Sequence, residues 1–266
     1  MKAARPYQIF PRLRRGRLLV WSSLSIGIFL LAWYILSVTG LVSPVILPSP
    51  WKVLQRGIRI IQEGYTGTSV WSHLWVSMVR VFGSLFLACL TAIPLGIVVA
   101  TNDYVKATVD PFVEFYRPLP PLAYLPLVII WFGIGETSKM VLIFLAIFAP
   151  IFLNTRAGVQ AIPKERIHAA LCLGASKMQL LTKVVFPSAL YSILTGIRIG
   201  LGFGWTTLVA AEMVAATKGV GHMILTASNY LQTDVVLFGI FLIGVVAYFS
   251  DYLMRIAIRK LVHWHT

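Results

Sequence analysis

Long apolar runs separated by short polar stretches follow one another along the whole chain. Most runs hold close to the ~20 residues of helix that cross a ~30 Å hydrocarbon layer. They do not alternate residue by residue, as the strands of a membrane barrel would. The pattern predicts an all-α polytopic membrane protein, a single transmembrane domain over residues 1–266, with about six spans. The predicted spans are 18–38, 80–100, 119–134, 139–155, 191–216 and 235–257.

Composition supports a membrane protein. The chain is 58% hydrophobic and 12% charged, whereas a soluble domain is nearer ~45–50% apolar and ~25% charged. Its two cysteines, Cys89 and Cys172, fall in different predicted compartments. They therefore form neither a disulfide framework nor a metal-ligand spacing. We predict no bound metal.

The formal net charge of +14 could suggest a nucleic-acid partner, but basic residues in membrane proteins usually report orientation. With the N-terminus inside, most Lys and Arg lie in the N-terminal segment, in 101–118, in 156–190 and after Asp251. This bias predicts that both termini and the 162–187 hairpin are cytoplasmic, and that no nucleic acid binds.

One basic stretch, "SPWKVLQRGIRIIQ", lies on the opposite side in this scheme. Ser49 followed by Pro50 is a helix-start signal. Two alternatives fit the helix that follows: it lies on the membrane surface, or it packs against the spans. Its predicted apolar face is Trp51, Leu54, Ile58 and Ile61.

The stretch "ERIHAALCLGASKMQLLTKVVFP" (Glu165–Pro187) is polar amid apolar surroundings and predicts a hairpin of two helices. Gly174 ends the first helix without a Cβ penalty. Ser176 with Gln179 forms a capping box that starts the second helix, which we expect to end before Pro187. Small residues keep the tip thin, as insertion into a groove on another protein needs; these are Ala169, Ala170 and Ala175.

The fifth span has two distinct faces. A small-residue stripe that permits close approach of another helix consists of Gly196, Gly200 and Gly204. Seven-residue spacing places three larger residues together on the other side, namely Arg198, Trp205 and Glu212. Ionisable residues at membrane depth are functional candidates. Two alternatives stay open: Arg198 is a snorkelling anchor, and Glu212 is a structural cap or forms an interhelical bond.

Other polar or irregular positions have local explanations. Arg80 is expected to anchor the second span at the interface, and Asn154 to cap the fourth. Asp251 and Arg255 have the i, i+4 spacing of an ion pair. Prolines in the third span free carbonyls that must find partners or line a cavity, so this segment is a candidate border of a passage; they are Pro118, Pro120, Pro121 and Pro126.

The chain contains no G-x-x-x-x-G-K-[ST] phosphate loop and no catalytic constellation. We therefore predict that it is not an enzyme and does not itself hydrolyse ATP. A secondary carrier or channel working alone is an alternative, but it leaves the hairpin without a purpose.

The pattern "HAALCLGAS…VVFP" resembles the Glu-Ala-Ala loop of ATP-binding-cassette importer permeases, although His168 stands where that motif has Glu. The resemblance implies that the 162–187 hairpin is the coupling element that sits in a cleft of a separate ATPase subunit. The implied contact residues are Glu165, His168, Ala169, Ala170, Gly174, Ala175 and Ser176.

The segments "YRPLPPLAYLPLVIIWFGIGETSK" and "GIRIGLGFGWTTLVAAEMVAATKGVG" resemble permeases of taurine importers, and permeases for alkanesulfonates, nitrate and bicarbonate are similar. The resemblance covers essentially the whole chain. It implies a type I importer permease of MetI-like architecture in the bacterial inner membrane, which acts as two copies. The implied partners are two ATPase subunits, which carry ATP and Mg, and a periplasmic binding protein; the chain itself binds no cofactor.

With taurine as the cargo, the fifth span offers two contacts. Glu212, with Trp205, would guide the ammonium group by charge and cation–π attraction. Arg198, nearer the cytoplasm, would receive the sulfonate later or pair with a carbonyl on a neighbouring span. The two charged residues are 14 positions apart, roughly 21 Å of helix, so one small solute cannot bridge them.

Overall fold

The computed structural model describes residues 15–262, and the regular elements in that range are helices. The predicted all-α fold is confirmed. The elements are α1 (Arg15–Val38), α2 (Pro50–Glu63), α3 (Val70–Thr101), α4 (Asp103–Tyr116), a 3₁₀ turn (Pro121–Ala123), α5 (Leu125–Phe132), α6 (Glu136–Gln160), α7 (Lys164–Cys172), α8 (Lys177–Leu180), a π-helical segment (Leu181–Val185), α9 (Phe186–Ala215), α10 (Val220–Asn229) and α11 (Thr233–Leu261).

Five helices of the described range are long and apolar enough to cross a membrane: Val20–Val38, Val70–Thr101, Glu136–Gln160, Lys177–Ala215 and Thr233–Leu261. The predicted span at 119–134 is therefore wrong as a single helix. Closely spaced prolines cause the break, because each removes a backbone donor and disfavours helix in the residue before it. The basic residues that precede Arg15, on which part of the orientation prediction rests, lie outside the described residues.

The long helices have defined directions. α3 and α6 run parallel, since Arg80 reaches Glu136 near the start of both helices and Gly96 lies against Thr155 near their ends. α9 is antiparallel to them, since Arg80 also reaches Glu212 near the end of α9. We call the end of the bundle where α6 begins the Glu136 end, and the other the hairpin end. Because α3 and α6 are parallel, the chain between them must return through the bundle.

The return crossing is a broken helix. α4 starts at the hairpin end, where Asp110 pairs with Arg156 at 2.5 Å. It runs towards the middle of the bundle and ends at Tyr116, whose hydroxyl donates to the Leu145 carbonyl at 3.4 Å. α5 completes the crossing, and its residue Leu125 is buried in a core cluster. Residues 117–124, which join α4 to α5, form no α-helix and lie near the middle of the bundle.

The core lies where α3, α6 and α9 meet, and Ile147 and Leu208 are fully buried there. The glycine stripe of α9 faces α6. A Cβ at Gly196 would lie 2.7 Å from the Asn154 Cβ, and one at Gly200 would lie 3.0 Å from the Ile147 carbonyl oxygen. The stripe thus makes its close contact within the chain.

Helix α2 packs against α11. Its N-cap is Ser49 and Pro50 is its first residue, as predicted. A Cβ on the buried Gly57 would lie 2.5 Å from Phe238 of α11. The alternative that this helix packs against the spans is confirmed, and contact of its outer face with the membrane surface stays a prediction. The predicted apolar face points away from the bundle, and its residues Trp51, Leu54, Ile58 and Ile61 are exposed.

Candidate functional site

The hairpin of residues 162–187 has the predicted helix, glycine turn and helix. α7 ends at Cys172, and Gly174 follows with a φ of +78°, in the left-handed region that favours glycine. The Ser176 hydroxyl accepts from the Gln179 N–H at 3.3 Å, while the Gln179 side chain accepts from the Ser176 N–H at 2.8 Å. The predicted capping box is confirmed.

The second helix of the hairpin does not end before Pro187, so that prediction is wrong. Helix runs without interruption from Lys177 to Ala215, through the π-helical segment. Pro187 lies in the first turn of α9. A π turn changes the local hydrogen-bond register, so the missing N–H of the proline does not break the helix. The tip of the hairpin is therefore joined by one continuous helix to the middle of the bundle.

The hairpin offers an accessible surface. Leu173 is 89% exposed and Met178 is 68% exposed, whereas Ile167 packs against the core cluster at the hairpin end. Glu165, His168, Ala169, Gly174 and Ser176 are exposed, and Ala170 and Ala175 are half-buried. This surface combines small side chains with exposed apolar ones.

Arg80, at the Glu136 end, is 2% exposed. Its guanidinium donates to both carboxylate oxygens of Glu136 at 2.7 Å, to Glu212 Oε1 at 2.6 Å and to the Lys218 carbonyl at 2.8 Å. Forked pairing of this kind is strong and geometrically specific. The expectation of an interfacial anchor is wrong, because carboxylates of two other helices draw this side chain into the bundle.

Glu212 is the buried counterpart, with 0% exposure. Besides Arg80, it accepts from the Ser77 hydroxyl at 2.7 Å and from the Gly221 N–H at 2.8 Å. Its carboxylate fits so tightly that a Cβ at Gly219 would lie 2.4 Å away. The carboxylate has no face open to a solute in this structure, so its role in a solute path stays a prediction that this conformation does not support.

Lys139 completes the group, which we call the Arg80 cluster: Arg80, Glu136, Lys139 and Glu212. Lys139 is 3% exposed and pairs with Glu136 at 2.8 Å. Arg80, Lys139 and Glu212 are buried, whereas the Glu136 side chain is 61% exposed. Two positive and two negative side chains balance, and this pairing offsets the cost of removing the three buried ones from water. Sequence reasoning missed these partners, because Arg80 and Glu212 are 132 residues apart. The cluster ties α3, α6 and α9 together.

The other two fifth-span candidates lie in a different place. Arg198 forms an ion pair with Asp251 of α11, and Asp251 also pairs with Arg255 at 2.8 Å, as predicted. Trp205 is 5% exposed and meets Phe82 edge to face. Arg198 and Trp205 line a groove of about 350 Å³ between α9 and α11, which Glu212 does not reach.

A larger cavity, of about 570 Å³, lies between residues 116–124, α6 and α9. On α6 it extends from Leu145 to Ala157. Leu145 and Ala157 are roughly 14 Å and 32 Å along a helix of roughly 37 Å, so the cavity extends from near mid-depth towards the hairpin end. We call it the Arg117 cavity; its polar and aromatic lining comprises Tyr116, Arg117, Tyr124, Asn154 and Phe203.

Within residues 15–262, no three His, Cys, Asp or Glu side chains group closely enough to hold a metal ion. The prediction that the chain binds no metal or cofactor stays a prediction.

A bundle of membrane-length helices with a broken crossing, a mid-depth cavity and an exposed hairpin is the layout of a transport permease. Residues 92–263 match the family of binding-protein-dependent transport system inner membrane components. This match covers more than half of the chain, and the chain belongs to that family.

Relatives cover nearly the full length. The chain is 48% identical to the taurine transport system permease protein TauC of Escherichia coli (strain K12), over 91% of this chain and 90% of that protein. It is 33% identical to the putative aliphatic sulfonates transport permease protein SsuC of Bacillus subtilis (strain 168), over 90% and 85%. It is 31% identical to the nitrate import permease protein NrtB of Synechocystis sp., over 86% and 84%.

Solved structures agree on the fold. A chain of the MetNI methionine ABC transporter, in inward-facing conformations, superposes with a TM-score of 0.63 at 20% identity, over 71% of this chain and 94% of that one. At this identity the likeness shows the fold alone. The predicted MetI-like architecture and the predicted resemblance to importer permeases are confirmed.

Proposed function

We propose that this chain is the membrane-spanning permease subunit of an ATP-driven importer for taurine. The observation that carries the proposal is the 48% identity with a taurine permease over 91% of the chain. The substrate passes from a periplasmic binding protein to the cytoplasm by alternating access. A separate ATPase subunit binds ATP and Mg, and the permease chain supplies the passage.

The hairpin is the contact with the ATPase subunit. In support, its tip is exposed, with Leu173 89% accessible, and carries the small side chains that a cleft accepts. Displacement of the tip passes directly into α9, because helix is continuous from Lys177 to Ala215. Each ATPase subunit of a pair engages one permease copy.

The hairpin end faces the cytoplasm and the Glu136 end faces the periplasm. Basic side chains concentrate at the hairpin end, as expected for the cytoplasmic side; they include Arg156, Lys164, Arg166, Lys177, Lys183, Arg259 and Lys260. α1 approaches the Glu136 end with its C-terminus, since the Thr233 hydroxyl at the start of α11 donates to the Val45 carbonyl. The N-terminus of α1 then starts at the cytoplasmic side, and both termini are cytoplasmic.

Two copies of the chain enclose the passage. Residues 117–120 are exposed and lack helical structure near mid-depth. Irregular backbone at that depth is stable only against protein or water. A second copy facing this segment across a water-filled path meets that requirement.

A reconstituted complex tests the function. The permease, ATPase and binding protein in proteoliposomes should accumulate labelled taurine only when ATP is supplied. Unlabelled isethionate, longer alkanesulfonates and nitrate serve as competitors. Uptake without the ATPase subunit would contradict the proposal and favour a secondary carrier.

Another sulfonate, nitrate or bicarbonate is the second candidate cargo. The 33% and 31% identities with sulfonate and nitrate permeases favour this alternative. It predicts that one of these competitors is transported faster than taurine by the same complex.

A further inference from the structure

The Arg117 cavity differs from the rest of the bundle in its backbone. The Arg117 carbonyl has proline three and four positions ahead, at Pro120 and Pro121, and proline has no N–H to donate. This carbonyl therefore cannot be satisfied by a helical hydrogen bond. At membrane depth, such a group needs water, protein or a ligand. The segment thus requires a polar occupant beside it.

Arg117 differs from three arginines of the long helices. Arg80, Arg156 and Arg198 each pair with a carboxylate. Within residues 15–262, the Arg117 guanidinium has no hydrogen-bond or ion-pair partner. Of the described residues that line the cavity, Arg117 alone is charged. The cavity is therefore electropositive and lacks a counterion among the described residues.

The remaining lining is neutral but polar in places. The Asn154 amide donates to the Pro150 carbonyl at 2.8 Å, which leaves its side-chain oxygen as an acceptor. The aromatic rings of Tyr116, Tyr124 and Phe203 offer faces that attract a cation. At about 570 Å³, the cavity falls in the ~300–1,000 Å³ range of small-molecule sites.

We infer that the Arg117 cavity is a binding site for a small organic sulfonate part-way along the passage. The Arg117 guanidinium pairs with the sulfonate, since its planar fork of donors suits oxyanions. The ammonium end of an aminosulfonate lies against the aromatic rings, the Asn154 oxygen and the unpaired Arg117 carbonyl. This inference rests on the proposed function, and it replaces the fifth-span residues as the place of solute contact.

Protection of an engineered cysteine tests the site. Cys89→Ser and Cys172→Ser remove the native thiols, and Ala157→Cys places a thiol in the cavity wall. A small charged thiol reagent then labels the assembled complex in nanodiscs, without binding protein. Taurine and isethionate, which share a sulfonate, should slow labelling, whereas ethylammonium, which has none, should not. Gln160→Cys, exposed one turn beyond the cavity, should not be protected.

Substitutions of Arg117 test whether its guanidinium binds the sulfonate. In Arg117→Gln, the taurine concentration that gives half protection should rise at least about tenfold, because one charge-assisted contact is lost. Arg117→Lys should restore part of the protection, which a purely structural role would not predict. Lys106→Gln removes the same charge from α4, the helix that ends just before Arg117, and should leave protection unchanged.

Several outcomes overturn the inference. These are equal protection in Arg117→Gln, equal protection by ethylammonium, and a thiol in Ala157→Cys that is closed to reagent because the second copy covers it. Uptake by the unsubstituted complex, measured in parallel, separates this inference from the proposed function. If taurine is imported but does not protect, the site is wrong and the function stands; if sulfonates protect but are not imported, the function fails and the site stands.

Discussion

Two arginines inside the bundle, Arg80 and Arg117, are in opposite situations. Arg80 is 2% exposed and bonds to two carboxylates and a carbonyl, whereas Arg117 is exposed in a cavity and bonds to no described side chain. A charge at membrane depth is costly unless it is paired or solvated. The first arginine is satisfied by the fold, so it holds helices together. The second is left for water or a ligand, so it is the better candidate for solute contact.

The largest expected effect is on stability and comes from the Arg80 cluster. Glu212→Ala leaves the Arg80 guanidinium buried with one carboxylate fewer, a change that typically costs ~3–5 kcal/mol. The variant should show a large loss of thermal stability in detergent, measured by fluorescence-detected size exclusion after heating.

A paired replacement checks this explanation. Arg80→Met with Glu212→Leu removes both charges and should recover part of the lost stability, since an apolar pair can replace a buried ion pair. If Glu212→Ala unfolds at the temperature of the unsubstituted protein, the Arg80 cluster is not structural. Arg117→Gln is the matched contrast and should leave thermal stability nearly unchanged.

A smaller effect is expected where α6 and α9 approach beside the Arg117 cavity. Gly196→Ala places a Cβ 2.7 Å from that of Asn154 and 3.1 Å from the Pro150 carbonyl oxygen. Overpacking of this kind typically costs ~1–3 kcal/mol. The same heating assay should show a moderate loss, together with reduced uptake because a cavity wall moves.

Gly202→Ala is the control on the same helix. A Cβ there meets nothing within 4 Å, and alanine is the better helix former by roughly 0.5–1 kcal/mol. This variant should be as stable as the unsubstituted protein or slightly more so. Equal losses in both variants would show that the stripe does not set the α6–α9 distance.

Local chemistry made the hairpin predictable, and distant partners made the Arg80 cluster unpredictable. The positive φ of Gly174 and the capping box between Ser176 and Gln179 each depend only on residues close in sequence. Their spacing can therefore be recognised in the sequence. By contrast, Arg80 meets Glu212 only after the chain has crossed the bundle several times. Hydropathy alone therefore identifies Arg80 and Glu212 as separate charges within apolar runs. It cannot show that they form an ion pair.

The third predicted span shows a different limit. Hydropathy identified 119–134 as apolar, but the return crossing begins earlier, at Asp103, in a helix that carries charged residues. The demand for a crossing follows from the parallel direction of α3 and α6, which is a tertiary fact. The prolines of that region correctly indicated an irregular segment. Pro187, by contrast, lies within a continuous helix, so a proline alone does not determine where a helix ends.

The hairpin should respond in assembly rather than in stability. Leu173 is 89% exposed. Leu173→Glu should therefore change the free energy of unfolding by no more than about 0.5 kcal/mol, as is usual for surface substitutions. Co-purification with the ATPase subunit should nevertheless fall sharply, because a charge enters an apolar contact. Tyr230→Glu, at the exposed Tyr230 of the Glu136 end, should retain the ATPase. If the ATPase subunit co-purifies fully with both variants, the hairpin tip is not part of the contact between permease and ATPase.

The smallest effect is expected for the ion pair between Arg56 and Asp234, which extends the comparison of arginines to a partly exposed site. Their closest atoms are 4.0 Å apart, and the two side chains are 34% and 18% exposed. Solvent screens such pairs, which typically contribute less than ~1 kcal/mol. Asp234→Asn should therefore shift thermal unfolding far less than Glu212→Ala does in the same assay. A shift as large as that of Glu212→Ala would mean that burial is not what separates structural arginines from the rest, and the contrast between Arg80 and Arg117 would lose its physical basis.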